Sequence, residues 1–439
     1  MRRRALLVPL FPIGLLLAPV LFAENWPQWR GPRNDGTSYE TGIVSQWGPD
    51  ENVRWRLPLP GPAGSTPVVW EDRILLTSTD TDSDALLVLA VGTDGKELWR
   101  RTVDQGALKV FEQFAHEVTT ASPSPTTDGK HVWALFGTTA LVAFDLDGKK
   151  AWQRNLAEDY GMPNMYFGYA ASPLLHEGKL YLHFLHTDRQ TVLALDAASG
   201  KTVWEHERKT DAEKECLHSY ASPVLYTPEG GPHQLLIHGA DYITGHDLSN
   251  GRELWRHGGL NPKDNYNPSF RLVATPVAVD DVIIVPSAKR GPVYALRPRK
   301  GTGKLDNSER VFWKVERGTP DVPSPLLVDD LVYLSGENGR LTALDSSTGE
   351  EVYAVRVHQS PHRGSPIFAD GKVFLSGTDG TVSVVRFGRE YELISQNSID
   401  ERLAASPAIA GGVIYLRSND ALWAIAPPSQ EPTETTQGR

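Results

Sequence analysis

The feature that most constrains this chain is a unit that recurs along it and is clearest in residues 172–204, SPLLHEGKLYLHFLHTDRQTVLALDAASGKTVW. A Ser-Pro pair opens the unit, alternating apolar runs follow, and a short last run ends on Trp204. Short alternating runs separated by turn residues predict four strands joined by hairpins. One antiparallel sheet of this size is not stable alone in water, so it must bury its faces against copies of itself.

Copies of this unit fill most of the 439-residue chain. Their openings recur at intervals of roughly 40–58 residues, a spacing typical of propeller blades. The openings are Ser65-Thr66-Pro67, Ser122-Pro123-Ser124-Pro125, Ser172-Pro173, Ser222-Pro223, Thr275-Pro276, Ser324-Pro325, Ser365-Pro366 and Ser406-Pro407. The sequence therefore predicts an all-β fold, an eight-bladed β-propeller of four-stranded antiparallel blades.

A large aromatic residue closes most units, and we expect it to dock between neighbouring blades beside a turn that runs from Asp to Gly. These residues are Trp55, Trp99, Trp152, Trp204, Trp255 and Trp313, with Tyr353 in the seventh position. Trp55 precedes the first opening, whereas the last unit, residues 406–425, lacks a fourth strand. The N-terminal strand around Trp55 is therefore predicted to complete the last blade and close the ring, which removes free sheet edges.

The predicted organisation has four parts: a signal peptide (residues 1–23), an irregular N-terminal lead-in (24–52), the propeller (53–426) and a disordered tail (427–439). Three arginines followed by an apolar stretch and Ala23 are typical of a secretory signal peptide. We therefore expect export to the periplasm or the extracellular space, with no integral membrane span after cleavage. Trp26, Trp29 and Trp47 are expected to pin the lead-in to the propeller surface.

Composition limits the partners. The net charge is −10, and loss of residues 1–23 would remove three arginines and no carboxylate. Nucleic-acid binding needs a basic face, so we expect none. Cys216 is the only cysteine, which excludes an intramolecular disulfide. We expect a monomer.

The unit A-L-D-x-x-[ST]-G-x-x-x-W is complete in residues 194–204 and degenerate in the other copies. It resembles the tryptophan-docking repeat of quinoprotein alcohol dehydrogenases and, equally, the repeat of the barrel-assembly lipoprotein BamB, a non-catalytic propeller. The opening WPQWRGPRNDG, residues 26–36, resembles the lead-in of secreted bacterial propellers of this quinone-like type. The repeat is specific for fold and nearly silent on activity, because its defining residues are packing residues.

Two functions follow from the resemblance. The first is an exported, non-catalytic scaffold for binding or assembly at the cell envelope. The alternative is an alcohol or sugar dehydrogenase that uses PQQ with calcium. Such enzymes hold the quinone over a Trp beside a vicinal disulfide, with calcium on carboxylate and amide oxygens. One cysteine excludes that disulfide and no calcium ligand set can be matched, so we expect no cofactor and no metal site.

In propellers of this type, the loops that lead into the inner strands share one face with the loops between the second and third strands. Candidate ligand-binding residues on that face are His116, Glu117, Tyr166, Tyr169, His218, Tyr220, Arg271, Lys289, Arg290, His362, Arg363 and Arg402. The cations favour a mouth that attracts a small anionic ligand or an envelope protein. The other interpretation is solvated loop ends paired with Glu117, Asp321 and Glu401, and a third is aromatic stacking on sugar rings by Tyr166, Phe167, Tyr169 and Tyr220.

Overall fold

The predicted eight-bladed β-propeller is confirmed. A computed structural model describes residues 23–108, 118–298 and 310–428, and it contains eight four-stranded antiparallel sheets. The predicted signal peptide lies outside the described residues except for Ala23, and the predicted tail lies outside them except for Pro427 and Pro428.

The strands follow the repeat. The first four blades comprise β2 (Val68–Trp70), β3 (Arg73–Thr79), β4 (Ala85–Gly92), β5 (Glu97–Gln105); β6 (Thr126–Thr127), β7 (His131–Leu135), β8 (Ala140–Asp145), β9 (Lys150–Asn155); β10 (Leu174–His176), β11 (Lys179–His186), β12 (Arg189–Asp196), β13 (Thr202–Glu207); and β14 (Val224–Tyr226), β15 (Gln234–Gly239), β16 (Tyr242–Asp247), β17 (Glu253–His257).

The other four blades comprise β18 (Val277–Val279), β19 (Val282–Pro286), β20 (Val293–Leu296), β21 (Val311–Val315); β22 (Leu326–Val328), β23 (Leu331–Ser335), β24 (Arg340–Asp345), β25 (Glu351–Arg356); β26 (Ile367–Ala369), β27 (Lys372–Ser376), β28 (Thr381–Arg386), β29 (Leu393–Ser398); and β30 (Ala408–Ala410), β31 (Val413–Arg417), β32 (Ala421–Ile425) with β1 (Val53–Pro58).

Helical structure is sparse. One helical turn, α1 (Ala157–Tyr160), and the short 3-10 helices Lys214–Leu217 and Lys263–Asn265 lie in loops between blades. Across the described residues, every helix is too short and too polar to cross a membrane.

The hydrophobic core lies between adjacent blades. The middle strands are buried along nearly their whole length, as in β11 and β12, because each sheet is covered on both faces by its neighbours. The outer strand β13 instead buries one residue, Trp204, between exposed neighbours. One core cluster joins Tyr181 and Val192 of the third blade to Leu235 and Ile237 of the fourth.

The ring closes as predicted. Strand β1 pairs antiparallel with β32, with Trp55 opposite Ala424 and Leu57 opposite Leu422. Residues more than three hundred and fifty positions apart thus share one sheet, and the eighth blade gains its fourth strand from the start of the chain.

Five of the six predicted docking tryptophans contact the turn between the third and fourth strands of the next blade. Their indole Nε1 atoms donate hydrogen bonds of 2.7–3.0 Å to backbone carbonyls: Trp55 to Thr93, Trp99 to Leu146, Trp152 to Ala197, Trp204 to Leu248 and Trp313 to Ser346. Gly148 shows why these turns need glycine. Its φ is 79°, and a Cβ there would lie 2.7 Å from the ring of Trp99.

Trp255 is the exception. Its Nε1 donates to Gln234 Oε1 of its own blade at 2.7 Å, and the guanidinium of Arg310 lies 5.2 Å from its ring. In the fifth blade β20 ends at Leu296 and β21 begins only at Val311, and at this interface Trp255 contacts an arginine where the other five tryptophans contact a turn carbonyl.

The lead-in closes one end of the ring. We call the end where the inner strands begin the upper end and the other the lower end. Trp26 is completely buried and exchanges backbone hydrogen bonds of 2.8 Å with Val69, at the lower end of β2. Arg30 reaches three blades further round the ring and donates to the carbonyl of Pro325, at the start of the sixth blade, at 2.6 Å. The lead-in therefore crosses the lower end of the central channel, whereas the sequence predicted attachment to the propeller surface.

Replacement of a docking tryptophan should be costly. We expect Trp204→Ala to lower the free energy of unfolding by about 3–5 kcal/mol, because the change leaves a large cavity between two blades. Urea unfolding followed by tryptophan fluorescence and circular dichroism measures this. Val203→Ala is the control, since Val203 is the adjacent residue of β13 and is 47% exposed. Equal losses in the two variants would contradict the docking role.

Candidate functional site

Hydroxyl groups connect the eight inner strands around the axis of the ring. At seven junctions the backbone N–H of the Ser or Thr before the proline donates to the hydroxyl of the equivalent residue in the next blade, at 2.9–3.0 Å. At the eighth, Thr66 Oγ1 donates to the carbonyl of Ser406 at 3.1 Å. We name this set the hydroxyl ring: Thr66, Ser124, Ser172, Ser222, Thr275, Ser324, Ser365 and Ser406.

The hydroxyl ring is the lower tier of a cavity of about 220 Å³ on the ring axis. Six ring residues line the cavity, and Thr66 and Ser222 do not. The upper tier comes from the residues two positions earlier in each blade: Gly64, Ser122, Ala170, Tyr220, Val273, Val322, Arg363 and Ala404. Residues two apart in an extended chain point to the same side, so each blade supplies one residue to each tier.

The lead-in forms the floor. Trp29 lines the cavity, and the adjacent Arg30 is buried and donates to the carbonyls of Pro325 at 2.6 Å and Pro366 at 3.0 Å. These prolines directly follow two residues of the hydroxyl ring. Burial lowers the pKa of Arg30 to about 10, and Asp35 opposes that shift. Arg30 therefore remains charged and holds the lead-in under the cavity.

Arg271 lies at the upper end of the cavity, which we call the mouth. Three contacts hold its side chain in place. Its Nε lies 3.2 Å from Glu215 Oε1 and its Nη2 lies 3.7 Å from Asp321 Oδ2. The guanidinium also lies 4.8 Å from the centre of the Phe167 ring, which is a cation–π contact. Burial raises the pKa of Glu215, with Arg271 opposing the shift and Asp321 adding to it. The two carboxylates hold Arg271 from behind while Arg271 itself faces the cavity.

Two further arginines and a tyrosine complete the polar lining. Arg363 and the exposed Arg402 both line the cavity. No hydrogen bond or ion pair joins the Arg402 side chain to another described residue; Glu401 instead pairs with Arg56, at 2.6 Å. The hydroxyl of Tyr220 accepts the backbone N–H of Phe167 at 3.3 Å, and burial raises the pKa of Tyr220.

Four of the predicted ligand-face residues thus meet in the cavity, namely Tyr220, Arg271, Arg363 and Arg402. Six others do not line it: Tyr166, Tyr169, His218, Lys289, Arg290 and His362. His116 and Glu117 lie outside the described residues. The predicted pairing of loop ends occurs in part, since Asp321 pairs with Lys289 at 3.0 Å as well as with Arg271.

Strand geometry explains two of these placements. Tyr169 and His362 stand three positions before their ring serines, so they point into the blade and not towards the axis. Tyr169 packs 5.4 Å from the Phe184 ring, and His362 Nδ1 lies 2.6 Å from Ser335 Oγ. Both side chains are buried, so Tyr169 is also not available to stack on a sugar ring.

The remaining candidates lie behind or beside the mouth. His218 is completely buried, with Nε2 2.9 Å from Thr187 Oγ1 and its ring 5.0 Å from that of Tyr166. Burial lowers the pKa of His218 to about 4, so it is a neutral packing residue at neutral pH. Arg290 is exposed at a turn with φ 63°.

The sequence indicated Phe167 as a residue that could stack on a sugar, and Phe167 does line the cavity; it did not identify Trp29 or the ring hydroxyls as cavity lining. A usable signal was present for the tiers: counting back two and four positions from each Ser/Thr-Pro selects the upper tier together with Arg271 and Arg402. No comparable signal exists for Trp29, because it reaches the axis through the path of the lead-in.

The lining residues do not fit a quinone held with calcium. Calcium binds oxygen ligands, chiefly carboxylates and amide or backbone carbonyls. The described lining offers hydroxyls, guanidinium groups and aromatic rings, with neither a carboxylate nor a side-chain amide. Within residues 23–108, 118–298 and 310–428, no group of three or more His, Cys, Asp or Glu is placed to hold a metal ion. No reaction step through a quinone follows from these side chains.

The fold and the repeat define a PQQ-like β-propeller. The family model described as outer membrane protein assembly factor BamB matches residues 38–166, 87–309 and 302–390. These matches span most of the chain, so this protein belongs to the BamB family of PQQ-like propellers. No curated protein sequence matches it significantly.

Solved structures of two kinds share the fold. BamB from Moraxella catarrhalis is 17% identical with a TM-score of 0.59, covering 84% of this chain and 98% of that one. A europium-containing methanol dehydrogenase is 12% identical with a TM-score of 0.70, covering 91% and 90%. Quinohemoprotein alcohol dehydrogenase from Comamonas testosteroni is 14% identical with a TM-score of 0.64, covering 93% and 81%. At these identities the similarity establishes the fold alone.

Buried histidines surround the site and make the fold sensitive to acid. Burial lowers the pKa of His183 to about 4 and that of His238 to about 3. Because the unfolded chain protonates these imidazoles near the usual pKa of 6.5, their contribution is complete above about pH 6.5 and is lost as the pH falls towards 4. Burial also raises the pKa of Glu215 and Asp241, and their protonation acts in the opposite direction.

His238→Leu should therefore flatten the dependence of stability on pH. His238 is buried and its imidazole also interacts with the backbone at Ala274 and Pro286, so the difference in stability between two pH values, and not the absolute stability, isolates its titration. Between about pH 7.5 and about pH 5, the variant should lose about 2 kcal/mol less free energy of unfolding than the wild type. Denaturant titrations at the two pH values measure this. His233→Leu, at an exposed histidine, should match the wild type, and parallel curves for all three proteins would contradict the assignment.

Proposed function

We propose that this protein is an exported, non-catalytic propeller that serves as a binding or assembly scaffold at the cell envelope. Its central cavity would be the recognition site, and the recognised group would be an anion on a small molecule or on an envelope protein. Membership of the BamB family supports the scaffold, and the signal-like residues 1–23 support export.

One observation carries the anionic specificity. Three arginines line the cavity of a protein whose net charge is −10, while no carboxylate lines it among the described residues. Glu215 and Asp321 lie behind Arg271 and so fix its position. An acidic surface with a local basic cavity directs anions to that cavity, because low-dielectric walls concentrate the field.

The alternative is a PQQ- and calcium-dependent alcohol or sugar dehydrogenase. The similarity in fold to the methanol dehydrogenase favours it, as does the indole of Trp29 on the cavity floor. The lack of a calcium donor set among the described lining residues counts against it. Addition of PQQ with calcium, read by melting temperature and by dye-linked turnover of alcohols, separates the two. A thermal shift with turnover would replace the scaffold proposal.

Anion binding should depend on Arg402. Citrate and inorganic phosphate titrated into the protein by isothermal calorimetry should bind, and Arg402→Gln should weaken binding about tenfold, because it removes a charge-assisted contact. Arg402 suits the test since no ion pair of the described residues is broken.

The matched control is Arg252→Gln, which removes the same charge from an exposed turn at the lower end of the fourth blade. It should bind as the wild type does. Equal weakening in both variants would indicate a general charge effect, and absence of binding by the wild type would reject the anionic cavity.

The scaffold can be tested at the mouth. A photoreactive phenylalanine at Phe270, next to Arg271 and 38% exposed, should crosslink to one envelope protein in cells. The same probe at Phe312 is the control, because Phe312 lies on the outer strand β21 and is 37% exposed. The adduct should form only from position 270 and decrease in Arg402→Gln. Adducts of equal yield from both positions would contradict the proposal.

A further inference from the structure

Seven of the eight hydroxyl protons of the hydroxyl ring have no hydrogen-bond acceptor among the described residues. Seven ring oxygens accept a backbone N–H from the preceding blade. A hydroxyl has one proton to donate. Only Thr66 donates its own to another described residue, at the carbonyl of Ser406. In each of these seven hydroxyls one acceptor lone pair is therefore occupied by a backbone N–H, while the proton has no acceptor among the described residues.

Six of these hydroxyls line the cavity and are themselves nearly inaccessible; Ser324 and Ser365, for example, are 3% and 4% exposed. Each can turn its proton only towards positions that the backbone N–H does not occupy, and the cavity is the open side. Buried donors without an acceptor are unfavourable, so a molecule that brings acceptors is favoured there.

We infer that the hydroxyl ring binds an oxyanion, namely the carboxylate or phosphate group of a small molecule that enters from the arginine side. The two tiers act on the same group from adjacent positions. Ser365 and Arg363 stand two residues apart on one blade and both line the cavity, as do Ser406 and Arg402 at four residues. A neutral polyol would satisfy the hydroxyls but would leave Arg402 without a counter-charge, and a cation would be repelled by the arginines that line the cavity.

This inference rests on the proposed anionic cavity and adds the chemical group and its position. It also accounts for the two ends of the cavity: Trp29 and the buried Arg30 lie at the lower end, and Arg271, Arg363 and Arg402 line it towards the upper end.

The chain offers a matched pair for the test. Ser222 and Ser365 each accept one backbone N–H from the preceding blade, at 2.9 and 3.0 Å, but only Ser365 lines the cavity. Ser365→Ala and Ser222→Ala should therefore lower the melting temperature alike. Only Ser365→Ala should weaken citrate or phosphate binding, by about tenfold. Ser365→Thr keeps the hydroxyl, as Thr275 does at the equivalent position, and should restore the affinity.

Each outcome decides the matter. Loss of affinity in Ser365→Ala alone supports the inference, and comparison of citrate with phosphate identifies the preferred group. Equal affinity in both alanine variants, or equal loss in both, overturns it. If Arg402→Gln weakens binding while Ser365→Ala does not, the anionic cavity stands and the hydroxyl ring is excluded as its binding group. If neither anion binds the wild type, the proposed anionic cavity fails first.

Discussion

The structure depends on a chain of short hydrogen bonds around its axis, in which seven blades give one backbone N–H to a hydroxyl of the next and a hydroxyl–carbonyl bond joins the eighth blade to the first. The residue after each ring member is proline, which has no N–H of its own. Inner strands cannot pair with one another in a propeller, so the hydroxyl ring supplies the directional contact between them. The same bonds fix eight residues at one height and thereby create a cavity with regular tiers.

Closure of the ring and the path of the lead-in determine the shape of that cavity. Pairing of β1 with β32 completes the eighth sheet and holds the start of the propeller next to its end. The preceding residues then have to cross the lower end, where Trp26 pairs with Val69 and Arg30 binds the carbonyls of Pro325 and Pro366. The lead-in thus covers the lower end of the channel, and Trp29 becomes part of the cavity lining.

Charge and burial are divided unevenly across the molecule. The surface is acidic overall, the mouth carries arginines, and several histidines between the blades are kept neutral by burial, such as His183 and His238. Arg271 is held by two carboxylates, whereas Arg402 is exposed. The proposed anion site therefore combines one cation of fixed position with one that is exposed.

The sequence by itself determined the number of blades, their strands and the closure through Trp55, because period, turn residues and apolar alternation are local and repeat eight times. Four of the residues that it proposed for the ligand face, Tyr220, Arg271, Arg363 and Arg402, line one cavity. Only the tertiary structure decided that Tyr169 and His362 turn away from the axis and that Trp29 reaches the cavity. Which side of a loop faces the axis depends on its register against the next blade, and the path of the lead-in depends on contacts with strands hundreds of residues away.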